Sequence, residues 1–157
     1  SLMGDNETVT LHEIGPSTDI GWALMPQLLR RIVRFGERYP TEQYVNELCQ
    51  AMLASFLSNA GTVRAWGAVD SDGLLAAHVV AALDVPRRII FIYQLEIDRP
   101  IPFSVKKAAL AAVEGWATAC QARAIEALTW HDARIWRRYG FSLHRVVVRR
   151  PLGATNG

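Results

Sequence analysis

The chain has 157 residues, of which 50% are hydrophobic and 20% charged, and a formal net charge of +2. A length near the ~150 residues typical of one domain gives a single domain over 1–157, with 1–8 and 152–157 expected to be flexible ends. Such a composition excludes a disordered chain, a collagen-like repeat and a highly charged tail, and the charge is too mild to argue for nucleic acid.

No apolar run reaches the roughly 18 residues of a membrane span. The first residues, Ser1 to Glu7, lack a basic stretch followed by an apolar core. No signal peptide is therefore expected, and a cytoplasmic location is. Cys49 and Cys120 fall on apolar helical stripes, while His12, His78, His131 and His144 are scattered. Two buried, reduced thiols and no metal site are the expectation.

In chain order, residues 9–14 alternate and predict a short strand ended by Gly15-Pro16. Asp19 is the expected cap of a helix over 19–34, with Pro26 in a first turn or at a kink. Its apolar side is Leu28, Leu29, Ile32 and Val33; Arg30, Arg31, Arg34 and Arg38 fall mostly on the other. A second helix, capped by Thr41, buries Val45, Leu48, Cys49, Met52, Leu53 and Phe56 and stops at Asn59-Ala60-Gly61.

The period then changes from that of a helix to that of a strand. Strands are predicted over 63–69, 74–83 and 88–97, joined by turns at Asp70-Ser71-Asp72-Gly73 and Asp84-Val85-Pro86-Arg87. The third is apolar on both faces in its first half (Ile89 to Ile92), which places it inside the sheet. Gln94 and Glu96 share one face at its end. Ser104 is the expected cap of a long helix over 104–121, with Val105, Ala109, Ala112, Val113, Trp116 and Cys120 buried. Residues 123–129 suit either a helical continuation or a short buried strand, and the strand is preferred because one helix over 104–128 would be unusually long. A short helix over 132–139 stops at Gly140, and a final strand covers 141–150. The sum is an α+β fold with helices on both faces of a sheet and one βαβ crossover.

That order, with Trp136-Arg137-Arg138-Tyr139-Gly140-Phe141 before the last strand, resembles the GNAT superfamily of acyl-CoA N-acyltransferases. The likeness spans nearly the whole chain in element order and residues 95–110 and 133–148 in sequence. It implies a mixed, mostly antiparallel sheet with a V-shaped splay between the central strand and the strand after the long helix. It also implies acetyl-CoA as cofactor, with the pantetheine edge at Leu95, Glu96 and Ile97. The phosphates would lie at the helix start, among Ser104, Val105, Lys106 and Lys107, where free N–H groups and the helix dipole favour an anion.

Two departures from the family pattern stand out. The glycines of the family's phosphate loop are replaced by bulk at Phe103 and Val105, and Pro102 removes a donor. Ser104, Lys106 and Lys107 offer side-chain binding of a phosphate instead, or are simply a cap and two solvated lysines. Trp136 stands where the family places its acid tyrosine; Tyr139 is the remaining candidate acid, one turn away and expected to face differently. Glu96 is the candidate base, its pKa expected to rise through partial burial, unless it pairs with Arg99 or Arg123. His131-Asp132 reads as a second acid–base pair or as a helix cap.

The resemblance thus implies transfer of an acetyl group from acetyl-CoA to a small-molecule or protein amine, with a homo-oligomer open. The second reading is a phage-type GNAT-fold binding or assembly module that does not use acetyl-CoA. The arginines at 30, 31, 34, 38, 145, 149 and 150 are explained by solvated faces and leave nucleic acid a distant third.

Overall fold

Alternating apolar residues and two tight turns build most of one five-stranded sheet. Its strands are β1 (Thr10–Ile14), β2 (Val63–Val69), β3 (Leu75–Asp84), β4 (Ile89–Ile97) and β5 (Ala124–Ala127). They lie in the order β1-β2-β3-β4-β5, the first four antiparallel and β5 parallel to β4. Helices α1 (Asp19–Ala23) and α2 (Met25–Arg38) precede β2, α3 (Phe103–Ala119) makes the β4–β5 crossover, and α4 (Arg134–Arg137) follows β5. The computed structural model describes residues 8–40, 43, 46, 47, 50, 61–127, 134–144, 148 and 150–153.

The α+β fold and the crossover are as expected, and of the strand predicted over 123–129 the stretch Ala124–Ala127 pairs with β4, while 128 and 129 lie outside the described residues. Among the described residues, no helix is long and apolar enough to cross a membrane.

Two apolar layers sandwich the sheet. On one face, Leu24, Leu28 and Ile32 pack with Ile14, Val63 and Val80 beneath α2. On the other, Val113, Trp116 and Ala117 of α3 pack on Trp66, Val79, Ala81 and Ile92.

Several local expectations are corrected. The helix over 19–34 is two helices: Leu24 closes α1 and starts α2, with Pro26 in the first turn of α2, where its missing N–H costs nothing. The cap of α1 is Thr18, not Asp19; its hydroxyl accepts from the Gly21 N–H at 3.0 Å. The buried side of α2 is Leu28, Arg31, Ile32 and Phe35, so Arg31 is inside while Leu29 and Val33 are exposed. Spacings of three and four from Leu28 run through Arg31 and Ile32 to Phe35, and helical phase decides over residue type. Ser104 does not cap α3: Pro102 is the N-cap residue and no side chain closes that end. Cys120 ends α3 as a half-buried free thiol rather than a core residue.

Of the helix predicted from Thr41, Gln43, Asn46, Glu47 and Gln50 are helical; the rest of it, with Cys49, lies outside the described residues. So do His131-Asp132, Trp130 and residues 145–147 and 149 of the predicted final strand. The start of that strand, 141–144, is irregular.

One irregularity positions the site. Val80 pairs with Gln94 but Ala81 pairs with Ile92, leaving Tyr93 as an extra residue in β4. This β-bulge re-aims the strand end. Past it Gln94 and Glu96, opposite Val80 and His78, face α2, while Leu95 opposite Val79 faces α3. The bulge follows directly on Ile92, the last β4 residue paired with β5, opposite Ala127.

Candidate active site

The end of β4 is walled by both layers. A cavity of about 320 Å³ is lined from the α2 side by Phe35, Arg38 and Tyr39 and from the α3 side by Val105, Lys106 and Ala109. Trp136, Tyr139 and Phe141 complete it. Beyond Ile92, β4 has a strand on its β3 side only, among the described residues. Leu95 and Ile97 are 38% and 41% exposed there, unusual for large apolar side chains in an inner strand.

Each candidate residue can now be placed. Glu96, Leu95, Ile97, Val105, Lys106 and Tyr139 all line the cavity. Ser104 is exposed and is not among its lining residues. The Lys107 ammonium lies 5.9 Å from the centroid of the Phe103 ring rather than in the cavity wall. Tyr139 does not face away from Trp136 as expected: the two share the cavity, since residues three apart on a helical turn are neighbours and the Tyr139 amide bonds to the Trp136 carbonyl at 3.0 Å. The Tyr139 ring sits 5.9 Å from Phe103, tying the α4 turn to the start of α3.

Glu96 pairs with neither Arg99 nor Arg123. Its carboxylate is bound by the Arg38 guanidinium from α2. The Glu96 side chain is 12% exposed and that of Arg38 58%, so the carboxylate lies deeper than its partner. Arg99 instead binds the buried Asp70 at 2.7 Å. Hydrogen bonds from the Leu74 and Asp72 amides, together with Arg99, hold the Asp70 carboxyl below the usual range. Arg123 donates to the Arg87 carbonyl at 2.9 Å.

Beneath the cavity runs a polar chain that local sequence patterns do not announce. Arg31 donates from Nε to His78 Nδ1 at 2.9 Å and from Nη1 to the Leu75 carbonyl at 3.0 Å. Its Nη1 and Nη2 reach Asp98 at 2.9 and 3.0 Å. Arginine only donates, so His78 Nδ1 is the acceptor and Nε2 carries the proton it gives to Gln94 Oε1 at 3.0 Å. Burial, and then the Arg31 charge, push the His78 pKa down to about 4, and the ring is neutral at pH 7. Asp98 is drawn the opposite way by burial and by Arg31; the guanidinium wins, and its carboxyl stays below the ordinary value. Phase along α2 was the available signal for Arg31; nothing local marks Asp98 as its partner, 67 residues away.

Consecutive residues thus brace the loop that leads into α3. Asp98 reaches α2 and Arg99 reaches the β2–β3 turn. At the start of α3 the Val105 and Lys106 amides bond to the Pro102 carbonyl at 3.0 and 3.3 Å. Those of Phe103 and Ser104 take no backbone acceptor among the described residues, and no side chain caps the end. Two open N–H groups, the Lys106 ammonium and the Ser104 hydroxyl fit an anion such as a diphosphate. The apolar wall of Leu95, Ile97, Val105 and Ala109 fits an uncharged arm. Coenzyme A combines both features.

Solved structures share this architecture. The aminoglycoside N-acetyltransferase AAC(6')-Iy in complex with CoA superposes with a TM-score of 0.63 at 15% identity, over 94% of this chain and 97% of that one. A protein from Pyrococcus furiosus named as an acetyl transferase gives 0.57 at 20% identity, over 92% and 100%. YycN from Bacillus subtilis, likewise named as an acetyltransferase, gives 0.60 at 16% identity, over 91% and 99%. No protein-family model and no curated protein matches the sequence. The chain has the GNAT fold. None of these three likenesses favours the phage-type expectation.

Proposed function

We propose that this chain is a single-domain, cytoplasmic N-acetyltransferase that transfers an acetyl group from acetyl-CoA to an amine. The observation that carries the reading is the convergence at one β-bulge: a carboxylate from one face of β4 and an apolar groove leading to an open helix start on the other meet in one cavity.

Coenzyme A, when bound, supplies an activated acetyl thioester. The uncapped start of α3 with Ser104 and Lys106 holds the phosphates, with Lys107 adding charge outside the cavity wall. Leu95, Ile97 and Val105 exclude water along the arm. Glu96 accepts the proton the amine loses, directly or through one water, and before the acceptor binds Arg38 holds its carboxylate in place. Tyr139, which lines the same cavity, protonates the departing sulfur from the α4 side.

The alternative, a GNAT-fold binding or assembly module without acetyl-CoA, is favoured by one observation. Phe103, half exposed, stacks near Tyr139 where a glycine would let a phosphate approach the backbone. Thermal unfolding with coenzyme A separates the two. Ligand at 100 times its dissociation constant should add about 2.7 kcal/mol to stability. No shift of the melting temperature at millimolar coenzyme A removes the enzyme reading and leaves the binding module.

A further inference from the structure

The acceptor side of the cavity has a chemistry of its own, apart from anything needed to hold a thioester. Its α2 wall carries the Phe35 and Tyr39 rings, whose centroids are 4.8 Å apart, and Tyr93 from the bulge. Within this apolar wall sits one ion pair, with the Glu96 carboxylate deep and the Arg38 guanidinium at the rim. In the cavity wall Arg38 and Lys106 are the described cations and Glu96 the described carboxylate.

That arrangement disfavours a polycation. A polyamine or amino sugar brings several positive charges to a rim that is already cationic, with one carboxylate to receive them. It disfavours a plain apolar amine less, yet such an amine would take Glu96 from Arg38 and leave the guanidinium without an anion. A zwitterion solves both. Its ammonium group meets Glu96, its carboxylate meets Arg38, and the internal pair is exchanged for two intermolecular pairs of the same sense. The aromatic wall then receives an apolar side chain.

We infer that the acceptor is an α-amino acid with an aromatic or large apolar side chain, an inference that rests on the acetyl transfer proposed above. The ammonium first loses a proton to water. The amine nitrogen then bonds to the acetyl carbon as the carbon–sulfur bond breaks. The second nitrogen proton goes to Glu96 and on to water, and the thiolate takes one from Tyr139, which water reprotonates, giving an N-acetyl amino acid, a free thiol and one released proton. Arg38 selects the substrate by its carboxylate and performs no chemistry.

The test uses the intact protein and compares phenylalanine, phenylalaninamide, phenethylamine and spermine, followed by thiol release from acetyl-CoA and by melting temperature. Phenylalanine should exceed its amide in kcat/KM by about 10- to 100-fold, the worth of a charge-assisted contact. Phenylalanine alone should raise the melting temperature, with or without coenzyme A present. Arg38→Gln should bring the acid-to-amide ratio close to one, mainly through KM, and Arg38→Lys should restore part of it. Equal or faster turnover of the amide or spermine overturns the inference, as does an unchanged ratio in Arg38→Gln. Turnover of none of the four while coenzyme A binds overturns it as well. If coenzyme A gives no thermal shift, acetyl transfer fails instead, and the melting temperatures with phenylalanine and its amide then decide the zwitterion site by themselves.

Discussion

Arg31 and Asp98 face each other fork to fork, with N–O distances of 2.9 and 3.0 Å, and join α2 to the residue that follows β4. Arg31 is buried and also serves His78 and the Leu75 carbonyl, so its removal strands several polar groups at once. Breaking a fully buried pair costs about 3–5 kcal/mol. Asp98 keeps some contact with water, which lowers the figure to about 3 kcal/mol for Arg31→Leu. In a chain of this size that is a loss of about 6–12 °C in Tm. Urea unfolding of the variant against the parent measures it; a change under about 1 kcal/mol would mean that water replaces the guanidinium at little cost.

His78 gives stability a particular pH dependence. Its folded pKa lies near 4, below the unfolded value of 6.5, so the unfolded chain takes up a proton that the folded one refuses. Stability is full above pH 6.5 and falls as pH drops from there toward 4. At about 1.4 kcal/mol per tenfold change in proton affinity, the loss reaches about 3 kcal/mol. Asp98, also depressed, adds its own loss as pH falls below the ordinary carboxylate range through its folded pKa. Urea midpoints at pH 7.0, 5.5 and 4.5 should therefore fall in the parent. His78→Gln should be less stable at pH 7 but flatter over the same range; an equally steep decline would assign the pH dependence elsewhere.

The strands were legible because alternation, turns and the doubly apolar run at Ile89 to Ile92 all point one way. Gln94 and Glu96 read correctly as sharing a face, since both lie past the bulge and period 2 holds between them. The bulge itself was not legible: an extra residue at Tyr93 leaves no mark in composition. Nor were the partners of the site carboxylates, because Arg38 and Glu96 are 58 residues apart and periodicity reports only neighbours along the chain. The misplacement of Arg31 has a different cause. A charged residue at a buried helical phase was assigned by its type, whereas an anion across the interface made its burial tolerable.

For the chemistry, Glu96→Gln keeps the size and much of the hydrogen bonding to Arg38 while removing the proton acceptor. Loss of a general base lowers kcat by about 10²- to 10⁴-fold. Tyr139→Phe should cost less, because water reaches the half-buried α4 turn and can supply the sulfur's proton. Steady-state thiol release at pH 7 to 9 checks both. An E96Q variant with unchanged kcat at neutral pH would remove the base assignment.

Gly21 is a stability test independent of the site. A Cβ there would stand 2.5 Å from the Glu13 carbonyl oxygen and 2.8 Å from Thr18 Oγ1, the atom that caps α1. Backbone cannot rotate away, so Gly21→Ala should destabilise by about 1–3 kcal/mol despite alanine's better helix propensity. At Gly67 the clashing atoms are the side-chain ends of Leu75 and Ile14, at 2.5 and 2.7 Å. Gly67→Ala should cost less, since those ends can turn. Thermal unfolding of the two variants gives the order, and the reverse order would mean that the β1–α1 turn yields more easily than the core between β1 and β3.

The two lysines at the start of α3 should separate cleanly. Lys106 lines the cavity and Lys107 does not, its ammonium lying by the outer Phe103 ring. A charge-assisted contact to a phosphate contributes about 1.5–3 kcal/mol, so Lys106→Met should weaken coenzyme A binding about tenfold or more. Lys107→Met acts through a solvated charge worth about 1 kcal/mol or less and should weaken binding no more than about fivefold. Titration calorimetry at 50 and 300 mM salt distinguishes them further: screening should erase the Lys107 effect and leave most of that of Lys106. Equal effects of the two substitutions would place the phosphates outside the cavity, on the exposed side of α3, and would detach the helix start from the cavity that Glu96 shares.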